Sequence, residues 1–203
     1  MAVITGFANE LRQSQSILNS MYEFRHQVFH RRLGWNVNIE NGKEFDHFDT
    51  LNPYYVADFN QQGKVDACWR ILPTTGAYML KDTFPQLLAG YDAPCADNIW
   101  ELSRFAVDAK KGVNNKQATL NDLTYMLLQQ GYLFAKNHHI ERYITVTSVA
   151  MERMLLNAGL RLIRFADLPA QKIGRVSTVA CWLNIDESYR HMAFDSPYTS
   201  IAA

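Results

Sequence analysis

The stretch Trp100-Glu101-Leu102-Ser103-Arg104-Phe105 sets an acid and a base inside an apolar, strand-like run, and this limits the fold more than any other feature of the chain. A buried charge is costly unless it is paired or used. With strict alternation, Glu101, Ser103 and Phe105 share one face while Trp100, Leu102 and Arg104 share the other. For Glu101 and Arg104 to serve one site the pleat must break between them, and a bulge is the device that re-aims a side chain in this way. Two readings stand at this point: a functional site on an interrupted strand, or a structural ion pair at a sheet edge.

Around that stretch the chain alternates helical and strand patterns. Over residues 13–33 the apolar positions Ile17, Met21, Phe24, Val28 and Leu33 recur at helical spacing, and Gly34 stands where the helix stops. Residues 35–52 have little periodicity and concentrate Glu40, Lys43, Glu44, Asp46, His47 and Asp49, the profile of a mobile loop or lid. Residues 54–59 and 64–72 read as a hairpin about Asn60-Gln61-Gln62-Gly63, with Arg70 on the less apolar face and Pro73 ending the second strand. Residues 80–88 read as a short helix and 119–137 as a long one. A buried strand follows at 143–147, with Ser148 as N-cap of a helix over 149–157 closed by Gly159. Strands at 161–165 and 176–185 complete the pattern. No repeat, low-complexity tract or linker interrupts it. The expectation is one α/β domain over residues 1–203, a mixed β-sheet flanked by helices.

A chain of 203 residues can bury one large core. Acidic and basic residues balance at 20 each, so no overall field points to nucleic acid or to an anionic membrane. No run approaches the roughly 18 apolar residues that would span a bilayer, and the N-terminus lacks a basic-then-apolar leader. The expected location is the cytoplasm, with neither nucleic acid nor membrane as partner. Cys68, Cys95 and Cys181 form no CxxC pair, which fits a reducing compartment. His26 and His30 could share a helix face but lack a third ligand at recognisable spacing. His138-His139 suits a solvated helix end. Neither a metal nor a cofactor is expected.

The polar residues lying in or beside apolar runs are Arg25, Asp46, Asp49, Arg70, Glu101 and Arg104, with Phe29 and Trp35 among them. Taken singly, a surface Asp or Arg is more often a solvated side chain or a modest ion pair. Together, three cationic and three anionic side chains among aromatics suit a small zwitterionic ligand with a hydrophobic part.

The ordered set is more specific. Arg25-x3-Phe29-x5-Trp35, Glu44-x-Asp46-x2-Asp49, Cys68-Trp69-Arg70-Ile71-Leu72-Pro73-Thr74-Thr75, Tyr78-Met79-Leu80, Phe84-Pro85 and Trp100-Glu101-Leu102-Ser103-Arg104-Phe105 together resemble the acyl-homoserine-lactone synthases, the autoinducer synthases of bacterial quorum sensing. The likeness continues through Thr145-Val146-Thr147 and Met151-Glu152-Arg153-Met154. It implies a fold similar to the GNAT N-acyltransferases. It also implies a two-step reaction in which the amine of S-adenosylmethionine, a substrate rather than a cofactor, takes the acyl group from acyl carrier protein. Its carboxylate then displaces methylthioadenosine to close a lactone.

On that resemblance Glu101, Arg104 and Ser103 are the catalytic candidates. Glu101 would accept the amine proton, directly or through a water, and a backbone N–H freed by a bulge near Leu102 and Ser103 would polarise the thioester oxygen. Arg25, Phe29, Trp35, Asp46, Asp49, Arg70, Arg104 and Phe105 would form the S-adenosylmethionine site. Within it, Asp46 and Asp49 face the cationic groups, Trp35 and Phe29 make an aromatic wall, Arg104 grips the carboxylate, and Arg25 and Arg70 organise the acidic loop. Met79, Leu102, Phe105, Val146, Thr147, Met154, Leu160 and Trp182 would line the acyl pocket, with Thr147 favouring donors oxidised at the third carbon. Arg153, Lys110 and Lys111, with Lys116, Arg161 and Arg164 nearby, would meet the acidic carrier protein. A monomer is expected. Two other readings stay open: a GNAT-type enzyme using acyl-CoA and another amine, and a catalytically silent ligand-binding domain. Against the first, residues 109–116 hold only Gly112, without the spaced glycines of a pyrophosphate loop.

Overall fold

Helix α1 (Gln15–Arg25) does not stop at Arg25 but widens into a π-type turn over His26–Arg32, which Gly34 ends at φ 67°. Turns of this kind recur at functional sites because they shift the phase of a helix face. Here the shift lets Arg25, Val28 and Phe29 all point inward. The computed structural model describes residues 2–108 and 122–195.

Before α1 lies a strand that periodicity does not reveal, β1 (Ala2–Phe7). After it come the small hairpin of β2 (Ile39–Glu40) and β3 (Lys43–Glu44) and a 3-10 turn over His47–Thr50. The expected hairpin forms as β4 (Tyr54–Phe59) and β5 (Val65–Pro73). The helix expected over 80–88 is instead α2 (Met79–Asp82) followed by a 3-10 turn at Pro85–Leu88. Pro85 has no N–H to continue α2 and biases Phe84 away from helical backbone.

Strand β6 (Ile99–Val107) carries the central motif, and α3 (Asp122–Asn137) crosses over to β7 (Arg142–Ser148). The chain ends with α4 (Val149–Asn157), β8 (Leu162–Arg164), β9 (Gln171–Ile173), β10 (Val176–Asn184) and α5 (Glu187–Phe194). Ser148 caps α4 as expected, accepting from the Met151 N–H, and Asp186 caps α5 in the same way through Tyr189.

One mixed sheet results, ordered β1-β4-β5-β6-β7-β10-β8 with β9 beside β10. All of its pairings are antiparallel except β6 with β7. Helix α1 covers one face through Leu18, Met21 and Phe24, packed on Tyr55, Ala57 and Cys68. Helices α3 and α5 cover the other, where Leu127, Leu128, Tyr189 and Met192 meet Trp69, Ile71 and Leu102.

Two irregularities in β6 place the site. Against β5, Ser103 pairs with Arg70 but Ala106 pairs with Cys68, so three steps of β6 match two of β5. The extra residue falls at Arg104–Phe105, and Arg104 takes a left-handed φ of 56°. Against β7, the parallel ladder ends at Leu102–Thr145 although β7 runs on to Ser148. The two strands part there and open a cleft.

Candidate active site

The bulge expected near Leu102 and Ser103 forms one to two residues later, and it does what the alternation required. Glu101 and Arg104 both reach Met79. The Glu101 carboxylate accepts from the backbone N–H of Met79 at 2.9 Å and of Leu80 at 2.7 Å, while Arg104 Nη1 lies 3.0 Å from Met79 Sδ.

Three guanidiniums and three carboxylates interlock beside them. Arg25 grips Asp49 bidentately, at 2.7 and 2.9 Å, and donates from Nε to Glu44. Arg70 Nη1 bridges Asp46 at 2.6 Å and Asp49 at 2.8 Å, and its Nε donates to Ser103 Oγ at 3.1 Å. Arg104 donates to Glu44 and, at 2.8 Å, to Asp46. Bidentate, charge-assisted pairs of this kind are the strong ones. Asp46 and Asp49 also cap the 3-10 turn reciprocally, each carboxylate accepting from the other's backbone N–H. The segment read as a mobile loop or lid is thus tied to the sheet by buried ion pairs.

Burial alone would raise the carboxyl pKa values, yet Arg25 and Arg70 hold Asp49 far below the usual range, and Arg25 with Arg104 lowers Glu44. Glu101 behaves oppositely. Burial pushes it up to about 7, with the two backbone N–H groups and then Arg70 and Arg104 pulling back. It is the member of the group whose ionisation falls near neutrality, as a general base requires.

Aromatic rings wall the site. Phe29 lies 5.2 Å from the Arg104 guanidinium and stacks on Trp35 at 5.3 Å, and Trp35 meets Phe84 edge-on at 6.4 Å.

Two cavities adjoin here. One, of about 330 Å³, occupies the strand cleft and is lined by Phe29, Glu101, Leu102, Ser103, Phe105, Thr145, Val146, Thr147, Ala150 and Met151. The second, of about 390 Å³, is lined by Gly34, Asn36, Val37, Asp46, Phe48, Thr83 and Ile173. Trp35, Met79, Phe84 and Arg104 line both. The structure therefore brings together most of the residues singled out from the sequence.

Some lie elsewhere. Leu160 and Met154 pack into the core under α3, and Trp182 sits beneath Arg142 and Phe165, so none of the three lines the first cavity. Asp49 is buried and saturated by its partners, whereas the Asp46 side chain keeps 14% of its surface exposed. Arg153 and Arg161 are exposed, but Arg164 is committed to Glu152 at 2.7 and 2.8 Å. Lys110, Lys111 and Lys116 lie outside the described residues. Among the described residues, no group of three or more His, Cys, Asp or Glu could hold a metal ion, and no helix is long and apolar enough to cross a membrane.

Two members of the network had no role assigned from sequence. Glu44 is the shared partner of Arg25 and Arg104. Tyr55 donates to Asp49 at 2.6 Å. The hairpin register was a usable signal for the second, since it sets Tyr55 directly opposite Arg70.

The family model for autoinducer synthases matches residues 9–192. The chain belongs to this family. Its acyl-homoserine-lactone synthase relative from Pseudomonas aeruginosa is 39% identical over 175 residues, covering 85% of this chain and 84% of the relative. The crystal structure of the AHL synthase LasI superimposes with a TM-score of 0.83 at 36% identity, covering 96% of this chain and 94% of LasI. That of TofI, in a ternary complex with an inhibitor and MTA, gives 0.77 at 29% identity over 95% and 96%. A putative N-acetyltransferase from Lactobacillus plantarum, 13% identical with a TM-score of 0.58, shares the fold alone, over 92% of this chain and all of that one. The GNAT-like fold expected from the motifs is the one found, and the protein is an acyltransferase by its family.

Proposed function

We propose that this protein is an N-acyl-homoserine-lactone synthase that joins an acyl group from acyl carrier protein to S-adenosylmethionine and releases methylthioadenosine, making a quorum-sensing signal. The observation that carries the reading is the position of Glu101, ionising near 7, on the cleft cavity close to where it meets the second cavity at Met79 and Arg104.

Charge supports the assignment of the second cavity. Three guanidiniums face four carboxylates once Glu101 ionises, leaving one net negative charge. S-adenosylmethionine carries an ammonium, a sulfonium and a carboxylate, leaving one net positive charge. Asp46, partly exposed on this cavity, suits the cationic groups, and Trp35 offers its ring face. Arg104 Nη1 meets only the weakly accepting Met79 sulfur among the described residues, so it is the donor available to a substrate carboxylate. Arg25, Arg70 and Asp49 bind one another and hold the loop in shape.

In the first step Glu101 takes a proton from the substrate ammonium, whose ordinary pKa is about 7.7 to 8.0. The freed nitrogen attacks the thioester carbon in the strand cleft. Backbone amides past Leu102, where β6 leaves β7, donate to the developing oxyanion. The carbon–sulfur bond breaks, the new N–H proton passes to the leaving thiolate, and an amide remains. In the second step the carboxylate oxygen attacks the γ-carbon, and the electrons of the carbon–sulfonium bond leave with neutral methylthioadenosine.

The acyl chain runs along the cleft past Leu102, Phe105, Val146 and Thr147. Substrates of this kind suit a reaction in the cytoplasm, and we take the monomer as the working unit. Purified protein supplied with S-adenosylmethionine and either acyl-carrier or acyl-CoA donor is expected to yield equimolar lactone and methylthioadenosine by mass spectrometry. Acylation of another amine, with S-adenosylmethionine left intact, would overturn the reading.

A further inference from the structure

Phe105 lines the cleft cavity and is half-buried. Behind it stands Trp69 of β5, edge-on, with ring centroids 5.2 Å apart and planes at 80°. Trp69 is buried, and its indole nitrogen has no hydrogen-bond partner among the described residues. Packing alone therefore holds the ring.

Its other side rests on α3 at Gly131. A Cβ built at Gly131 would come 3.2 Å from Trp69 Cζ3 and 2.9 Å from Tyr189 Oη. Glycine is unfavourable relative to alanine inside a helix, and this one sits in the middle of α3. The closer of the two contacts is the tyrosine, whose hydroxyl donates to the Leu128 carbonyl at 2.9 Å and must give up part of that bond to admit a methyl group. The peptide itself is not free to move, since Tyr143 donates to the Gly131 carbonyl at 2.8 Å. The unanchored member is Trp69, and the ring between it and the cavity is Phe105.

We propose that Gly131 sets how long an acyl chain the cleft accepts, acting through Trp69 and Phe105, an assignment that rests on the lactone-synthase reading. The missing side chain lets Trp69 lie back on α3. A methyl group there moves the indole a few tenths of an ångström toward Phe105 and narrows the cavity, while a smaller ring at position 69 deepens it. Trp69→Phe strands no hydrogen-bond partner, so its effect reports space.

The test is a competition among saturated acyl donors of increasing length, offered together with S-adenosylmethionine, with the lactones counted by mass. Gly131→Ala is expected to move the preferred product to a shorter chain and Trp69→Phe to a longer one. One methylene gained or lost corresponds to about 4-fold in relative kcat/KM. The double variant is expected to return toward the parental preference, which a merely destabilising Gly131→Ala would not do. A folded Gly131→Ala protein with the parental product distribution, or with longer products, overturns the proposal. Should that variant not fold, Trp69→Phe decides alone, and an unshifted distribution overturns it. A parental enzyme that makes no lactone fails the lactone-synthase reading itself, and this assignment with it.

Discussion

Arg104 and Glu44, sixty positions apart in sequence, share one carboxylate oxygen at 3.0 and 2.7 Å from Nε and Nη2. The other oxygen of Glu44 takes the Nε of Arg25. Glu44 is fully buried, so truncating it takes one carboxylate from two buried arginines and leaves Arg25 with Asp49 and Arg104 with Asp46. Breaking a buried pair by removing one partner costs about 3–5 kcal/mol. Glu44→Ala is expected to lose that much in urea titration and to fall in activity through displacement of Arg104. A loss below about 1 kcal/mol would show that the network tolerates the gap.

Asp49 and Asp46 are three residues apart and make a sharper comparison. Asp49 is an organiser with its oxygens occupied by Arg25, Arg70, Tyr55 and the Asp46 amide. Its pKa and that of Glu44 are depressed in the folded state, so their stabilisation is complete above the ordinary carboxylate range near 4 and is lost as pH falls through the folded values. Asp49→Asn should therefore lower stability at pH 7 and flatten the acid limb of a stability-versus-pH curve. Asp46→Asn should instead raise the KM for S-adenosylmethionine with a smaller loss of stability. If the two variants behaved alike in both measurements, the division of labour between them would be wrong.

Glu101 predicts the pH dependence of the rate. Its folded pKa is raised to about 7 and the base works ionised, so kcat/KM should climb with pH and level off above about 7. The stability term has the opposite sign to that of Asp49. A carboxyl raised above its unfolded value contributes below the unfolded pKa, and that contribution disappears as pH rises through the folded one. Glu101→Gln should lower kcat by about 10²–10⁴-fold, the usual worth of a general base. A profile flat from acid to alkaline pH, or a folded Gln variant at parental rate, would remove Glu101 from the role.

How much of this was legible beforehand follows the range of the interactions. Local signals located the strand at 54–59, the strand read as 176–185 to within one residue, the cap at Ser148 and the stop at Gly34, because each depends on neighbours a few residues away. The conflict between Glu101 and Arg104 announced a bulge but not its position. Leu102 and Ser103 keep their β5 partners, so the extra residue moves to Arg104, which accepts a left-handed φ. Strand β1 escaped notice because its pairing partner, β4, lies some fifty residues on, and its own alternation is weak. The acidic segment looked like a lid because its anchors, Arg70 and Arg104, are distant in sequence. The resemblance put an acyl tunnel beneath the strand pair, but choosing Met154, Leu160 and Trp182 for it rested on their apolar character, which does not separate a cavity wall from a filled core.

Carrier docking is tested by ionic strength. Arg153 projects into solvent from α4, the helix whose first turn lines the cleft cavity through Ala150 and Met151, and the docking reading seats the carrier protein against that helix. Attraction between this side chain and an acidic carrier is screened by salt and acts mainly on encounter. Arg153→Glu is therefore expected to raise the KM for acyl-carrier donor several-fold at low salt and to leave the KM for S-adenosylmethionine unchanged. Added salt should narrow the gap between variant and parent, because the repulsion introduced is screened along with the attraction removed. With an acyl-pantetheine donor, which has no acidic surface, the variant should match the parent. An equal loss with both donors would mean that Arg153 shapes the cleft rather than the encounter, and the carrier would have to be met elsewhere on the molecule.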